Sequence, residues 1–242
     1  MKIITVASLK GGVGKTTIAA NLALALSNKG KTLAVDLDPQ SSLTDYFLRE
    51  LNTADIESAN AWHFLSERKQ ASECVFPGLF IDCLPASPKL HTIGFEMVSD
   101  PASILRVRGE LESLPHDFAL IDTPPSLSYE FRAGLYAADL IIVPVSPDRW
   151  IMQGLDLLKN EVAKVEKSTG RRPRIMAVPS MASEKDTELL RDILKKESVA
   201  ILSRTAIKKA AAIKKSLNLG ARLKETSESA AQFSELAAEV TK

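Results

Sequence analysis

Lys2-Ile3-Ile4-Thr5-Val6-Ala7-Ser8-Leu9-Lys10-Gly11-Gly12-Val13-Gly14-Lys15-Thr16-Thr17 is the stretch that decides how this chain folds. Its first part is short, β-branched and almost continuously apolar, the pattern of a strand covered on both faces. Glycines follow, letting backbone N–H groups turn inward with no Cβ in the way. Residues 16–28 then take helical spacing, with Gly30 placed to cap the end. A strand, a glycine turn and a helix whose free N–H groups and dipole face that turn make a phosphate site. Lys15 supplies a cation for terminal phosphates and the Thr16 hydroxyl a ligand for Mg²⁺. The G-x-G-x-x-G order fails because Thr17 stands where the third glycine belongs, and G-x-x-x-x-G-K-[ST] fails at Leu9. A second lysine, Lys10, stands at the loop's entrance instead.

Outward from that stretch the same alternation continues. Apolar, β-branched runs at 32–35, 79–84, 118–121, 140–145 and 175–178 predict further strands, and residues 102–114 and 151–166 predict helices. Residues 52–70 have no clean period and predict short helices. Strand and helix in turn imply an α/β fold: a mostly parallel twisted sheet with helices on both faces. No linker or internal repeat divides residues 1–242, which read as a single domain with the first strand too near the start for a preceding helix-turn-helix.

Composition excludes several classes of function. Of 242 residues, 45% are hydrophobic and 25% charged, which rules out disorder and coiled coil. Lys and Arg total 31 against 30 Asp and Glu, so any binding to nucleic acid must come from a local patch. Cys74 and Cys83 form no disulfide framework or ligand spacing and read as buried thiols in a reducing, cytoplasmic setting. His63, His91 and His116 are scattered, so no metal besides Mg²⁺ is indicated. No run of 18 apolar residues is present.

Two further segments end strands with carboxylates: Val35-Asp36-Leu37-Asp38-Pro39-Gln40 and Leu120-Ile121-Asp122-Thr123-Pro124-Pro125-Ser126. In an open α/β sheet ligands sit beyond the strands' carboxyl ends. A carboxylate there can hold Mg²⁺ through water or orient an attacking water.

KGGVGKTT, VDLDPQ and LIDTPPS together resemble the deviant Walker-box P-loop ATPases of the ParA/MinD group, most of all its ParA-type partition and cargo-positioning members. The likeness runs on through Leu84-Pro85-Ala86-Ser87 and Ile141-Ile142-Val143-Pro144-Val145 to the terminal Leu-Ala-Ala-Glu-Val. It implies slow, partner-stimulated ATP hydrolysis with Mg²⁺ in an ATP-dependent homodimer. Lys10 then resembles the lysine that reaches the partner's nucleotide. Gly11, Gly12, Val13 and Gly14 cradle phosphate, Lys15, Thr16 and Thr17 serve the β/γ-phosphates, Mg²⁺ and α-phosphate, Asp38 positions the attacking water, and Asp36 and Asp122 hold Mg²⁺ through water. Ile207-Lys208-Lys209 departs from the Ile-Pro-Arg step near adenine, leaving backbone near Pro179 as the candidate base contact.

Residues 204–224 carry seven basic groups (Arg204, Lys208, Lys209, Lys214, Lys215, Arg222 and Lys224) and no acidic one. At 100° per residue Ala210, Ile213 and Leu217 form one stripe and the four lysines spread over the opposite arc, a solvated helix face or a phosphate-binding patch. With the resemblance, the patch implies nonspecific double-stranded DNA, a nucleoid location and a ParB-like centromere-binding adaptor. The terminal helix sets Phe233, Leu236 and Val240 among glutamates, which suits docking onto the domain better than the MinD-like membrane alternative.

Overall fold

A computed structural model describes residues 1–146, 151–195 and 200–242. Among the described residues seven strands form one sheet: β1 (Lys2–Val6), β2 (Thr32–Asp36), β3 (Asp82–Leu84), β4 (Phe118–Asp122), β5 (Leu140–Val145), β6 (Arg174–Pro179) and β7 (Ile201–Leu202). Their order is β3-β2-β4-β1-β5-β6-β7, and every pairing is parallel. Ile3, Ile4, Thr5 and Val6 are buried on both faces, as their lack of alternation requires. Because β1 sits mid-sheet, with β4 on one side and β5 on the other, the chain reverses its direction of winding there. The crevice at such a switch point is where an α/β sheet binds ligands.

The helices are α1 (Lys15–Leu26), α2 (Ser42–Phe47), α3 (Thr53–Ser58), α4 (Ala61–Leu65), α5 (Leu90–Glu96), α6 (Val107–Glu112), α7 (Tyr129–Ala137), α8 (Ile151–Thr169), α9 (Glu184–Lys195), α10 (Ala211–Leu219) and α11 (Glu228–Val240). α1 is apolar around most of its circumference, as suits a helix enclosed on all sides. It packs between the sheet and α11, whose Phe233, Leu236, Ala237 and Val240 are buried in the same cluster as Ile18, Leu22 and Leu26. The terminal helix thus spends its apolar face inside the domain. Cys74 and Cys83 are both buried free thiols, and burial pushes Cys74 up to about 11. Among the described residues no helix is long and apolar enough to cross a membrane.

Four details differ from the sequence reading. Only Asp82–Leu84 of the run 79–84 joins the sheet, because Gly78 N–H closes a turn onto Ile81 C=O and Leu79 N–H bonds Phe47 C=O. Residues 102–114 begin as a 3₁₀ turn over Pro101–Arg106 before α6. Gly30 is no left-handed cap: α1 already ends at Leu26 with Ser27 as its cap, and Gly30 is needed because a Cβ there would lie 2.6 Å from the Asp117 carboxylate, which accepts from Lys31 N–H. Finally, the basic run is helical only from Ala211, so Lys208 and Lys209 lie on an extended segment whose Ile207 bridges to Ser180. The paired backbone there outweighs the weak helical stripe. α10 stops at Gly220 (φ 61°), and its end is tied to α2 by Tyr46 O–H on Ala221 C=O and to the turn after α2 by the Arg49 guanidinium on Asn218 C=O.

Candidate functional site

The turn between β1 and α1 holds its shape through two glycines in the left-handed region, Gly12 (φ 73°) and Gly14 (φ 88°). Gly14 is also confined. A Cβ on it would stand 2.9 Å from Ser180 Oγ, which donates to Val13 C=O at 2.8 Å and pins the loop to the end of β6. Lys15 is buried, its ammonium curled back to donate to Lys10 C=O at 3.3 Å. Burial lowers its pKa, while the Asp122 and Asp38 carboxylates pull it upward.

Thr16 Oγ1 donates to Asp122 Oδ2 at 2.5 Å. Asp122 is fully buried at the tip of β4, and its other oxygen, Oδ1, has no partner. Burial, with the Asp36 carboxylate nearby, raises its pKa well above the carboxylate range. An orphaned buried carboxylate oxygen beside a threonine hydroxyl and a lysine is an arrangement that a hard divalent cation fits, since oxygen donors suit Mg²⁺. Asp36 is hydrogen-bonded through both of its oxygens. Oδ1 accepts from Asp38 N–H at 3.0 Å and Oδ2 from both Thr44 N–H and Thr44 Oγ1 at 2.8 Å. Burial raises its pKa to about 6 against these three donors. Its carboxylate is therefore spent on the loop that carries Asp38. Asp38 itself is half-buried, with Oδ1 capping Gln40 N–H at 2.9 Å.

Of these groups Lys15, Thr16 and Asp38 line a cavity of about 710 Å³, within the size range of small-ligand sites, and the fully buried Asp36 and Asp122 are not part of its lining. Gly11, Gly12, Gly14, Lys15, Thr16, Thr17 and Asp38 bound one end. Met181, which lies against Gly14, and the 207–211 segment also line it, with Ile213 and Lys214 of α10. Three of the basic residues, Lys208, Lys209 and Lys214, thus face this cavity as well as solvent. Pro179 does not line it; its carbonyl accepts from Ile207 N–H, and its neighbours Ser180 and Met181 reach the cavity instead. Lys10 is exposed and borders a different, apolar cleft with Leu9, Val143 and Leu157. Arg204, Lys215, Arg222 and Lys224 are exposed. Arg222 lies 4.8 Å over the Phe80 ring, and Lys208 pairs with Glu228 at 2.9 Å and Glu184 at 3.5 Å, which reduces the patch's free charge.

Sequence reasoning missed Thr44, Ser180, Met181 and Glu130. Thr44 and Ser180 carry no local signal, since their roles depend on partners 8 and 167 positions away. Met181 takes φ 53° at the cavity wall, a conformation its residue type does not announce. Glu130, buried in the first turn of α7, has its pKa raised by burial and by the Asp38 carboxylate, with His91 opposing.

A family model described as an AAA domain matches residues 1–175. The sporulation initiation inhibitor protein Soj of Bacillus subtilis is 32% identical over 171 residues, covering 69% of this chain and 66% of its own. The chromosome-partitioning ATPase Soj of Thermus thermophilus is 32% identical over 176 residues, covering 72% and 67%. The matched segment thus spans about two thirds of these relatives' length. Among solved structures, a plasmid partition protein of Borrelia burgdorferi bound to AMPPNP superposes with a TM-score of 0.83 at 24% identity, covering 99% of this chain and 98% of that one. The cobyrinic acid a,c-diamide synthase of Mycobacterium smegmatis, with bound ATP analogue and magnesium, gives 0.81 at 24%, covering 100% and 94%. At that identity the likeness speaks for the fold alone, and the fold serves more than one chemistry.

Proposed function

From the premise that the chain belongs to the ParA/MinD group of P-loop ATPases, we propose that it is a cytoplasmic, nucleoid-associated ATPase that dimerises on ATP and Mg²⁺. In this reading it binds nonspecific double-stranded DNA and positions or segregates a cargo with a ParB-like adaptor that stimulates slow hydrolysis. The observation that supports it best is the Thr16–Asp122 pair, with one carboxylate oxygen left over beside Lys15.

Lys15 and the N–H groups of the glycine turn would hold the β- and γ-phosphates, and Thr16 with Asp122 would hold the metal and its waters. Mg²⁺ neutralises charge developing on the phosphoryl oxygens. Asp38 would orient the attacking water, and Asp36 keeps Asp38 in place through its N–H. Phosphoryl transfer needs a positioned water more than a strong base, so a tethered carboxylate suffices. Lys10, outside the cavity of its own subunit, suits a reach toward the partner's phosphates.

For DNA, exposed Lys215, Arg222 and Lys224 join cavity-facing Lys209 and Lys214 in a patch where residues 204–224 offer no aromatic side chain for stacking, which favours duplex over single strands. The MinD-like alternative is less well supported because Phe233, Leu236 and Val240 are committed to the core. The test is fluorescence anisotropy on random duplexes with anionic liposomes in parallel, using Asp38→Ala as an ATP-loaded trap. Binding should require ATP and Mg²⁺. If the dimer neutralises about six phosphates, log K should fall against log salt with a slope of about −5. ATP-dependent liposome binding without duplex binding would reverse the reading.

A further inference from the structure

The phosphate end of the cavity is built by residues 11–17, but the wall formed by residues 207–210 is held from elsewhere. Residues 203–210 leave β7, where Ile201 and Leu202 face Met176 and Ala177, and rejoin the sheet where Ile207 faces Ser180. Three steps along β6 are matched by five along this segment, so two extra residues bulge outward. A bulge leaves N–H groups without ladder partners, and one buried unpaired costs about 1–3 kcal/mol.

The partners come from α11. Glu239 accepts from Arg204 N–H at 2.9 Å through one oxygen, and its other oxygen lies 3.0 Å from the Ser203 hydroxyl and 3.4 Å from Thr205 N. Gln232 Oε1 accepts from Lys208 N–H at 3.2 Å. Glu228 pairs with the Lys208 ammonium. Positions 228, 232 and 239 fall within about 40° of one another around a helix, so they form a single polar stripe. The apolar stripe beside it packs on α1, the helix that opens with Lys15.

We propose that Glu239 and Gln232 are positioning residues for the nucleoside end of the site. They set residues 207–210 against base and ribose, while the phosphate end stands without them. This inference rests on the nucleotide reading above, and it makes the terminal helix a working part of the site rather than only its packing.

The test uses the full chain and measures affinity for Mg²⁺ with AMPPNP and, separately, with inorganic tripolyphosphate, by calorimetry. Turnover at saturating ATP is measured alongside. Glu239→Ala should weaken AMPPNP about tenfold, the scale of lost bonds to a charged acceptor. Tripolyphosphate affinity and saturated turnover should stay within about twofold of wild type by the same reasoning, since no phosphate-loop hydrogen bond is removed. Glu239→Gln, which keeps one carbonyl oxygen, should fall between. Gln232→Ala removes a single neutral bond and should weaken AMPPNP selectively by a few-fold, so the question stays answerable if Glu239→Ala does not fold. AMPPNP affinity unchanged in both alanine variants, or both ligands weakened equally, would overturn the proposal. If the wild-type chain binds tripolyphosphate but gains nothing from the nucleoside, this inference fails alone; if it binds neither, the nucleotide reading fails first.

Discussion

Replacing Asp36 with asparagine should make the stability of this protein cross that of the wild type as pH rises. Asp36 is fully buried, and its pKa is raised from 3.8 to about 6. Between those values the folded chain holds a proton that the unfolded chain has released. The stabilisation from protonated Asp36 is therefore fully present below the unfolded pKa and is lost as pH rises through about 6. A shift of some two units corresponds to about 3 kcal/mol. The amide of the Asp36→Asn variant cannot titrate, but its single oxygen cannot serve Asp38 N–H and both Thr44 donors, which removes about 1 kcal/mol. Asp36→Asn should then be less stable by about 1 kcal/mol near pH 4 and more stable by about 2 kcal/mol at pH 7.5. For a chain of this size the neutral-pH difference is a rise of about 4–8 °C in Tm. Thermal melts of the apo protein from pH 4 to 8 read this directly. Asp122, also raised by burial, shapes both curves in the same direction, and losing the Asp36 charge removes part of what raises it, which adds to the variant's advantage at neutral pH. Parallel curves, with the variant uniformly less stable, would show that the carboxylate's three donors outweigh its burial and would refute the reasoning.

Gly14→Ala forces a Cβ into a φ of 88° and to 2.9 Å from Ser180 Oγ. It should destabilise the chain by about 2 kcal/mol in a melt and abolish binding of a fluorescent ATP analogue. Lys10→Ala should bind that analogue with wild-type affinity yet give no ATP-dependent dimer by light scattering; a dimer that persists would remove Lys10 from the interface. Lys215→Gln combined with Lys224→Gln removes two charges from each subunit, four from the dimer, and should flatten the salt dependence of duplex binding by up to about 3.6 in slope. Neither residue lines the cavity, so ATP turnover should not change; a slope equal to wild type would take this patch off the DNA.

Residues 2–17 determined the fold by themselves. A continuous β-branched run can only be a strand buried on both faces, and a glycine turn ending in Lys15 and Thr16 has one economical use, because glycine takes the left-handed turns at 12 and 14 without strain. Asp36, Asp38 and Asp122 were legible for the same reason: each sits at the end of an apolar strand, and parallel strands deliver their carboxyl ends to one edge. Their division of labour was not legible. Asp36 and Asp122 look alike in sequence, yet Thr44 and Asp38 N–H occupy the first and leave an oxygen of the second unpartnered. The basic run misled in the other direction. Its stripe of Ala210, Ile213 and Leu217 has helical spacing, but hydrogen bonding of Ile207 to the end of β6 and of Lys208 to Gln232 keeps the first lysines extended against the cavity. Local periodicity records which side chains seek the core. Which of two polar groups is spent on the protein's own backbone depends on residues brought near only by the closed sheet and the packed terminal helix, and that decision belongs to the tertiary structure.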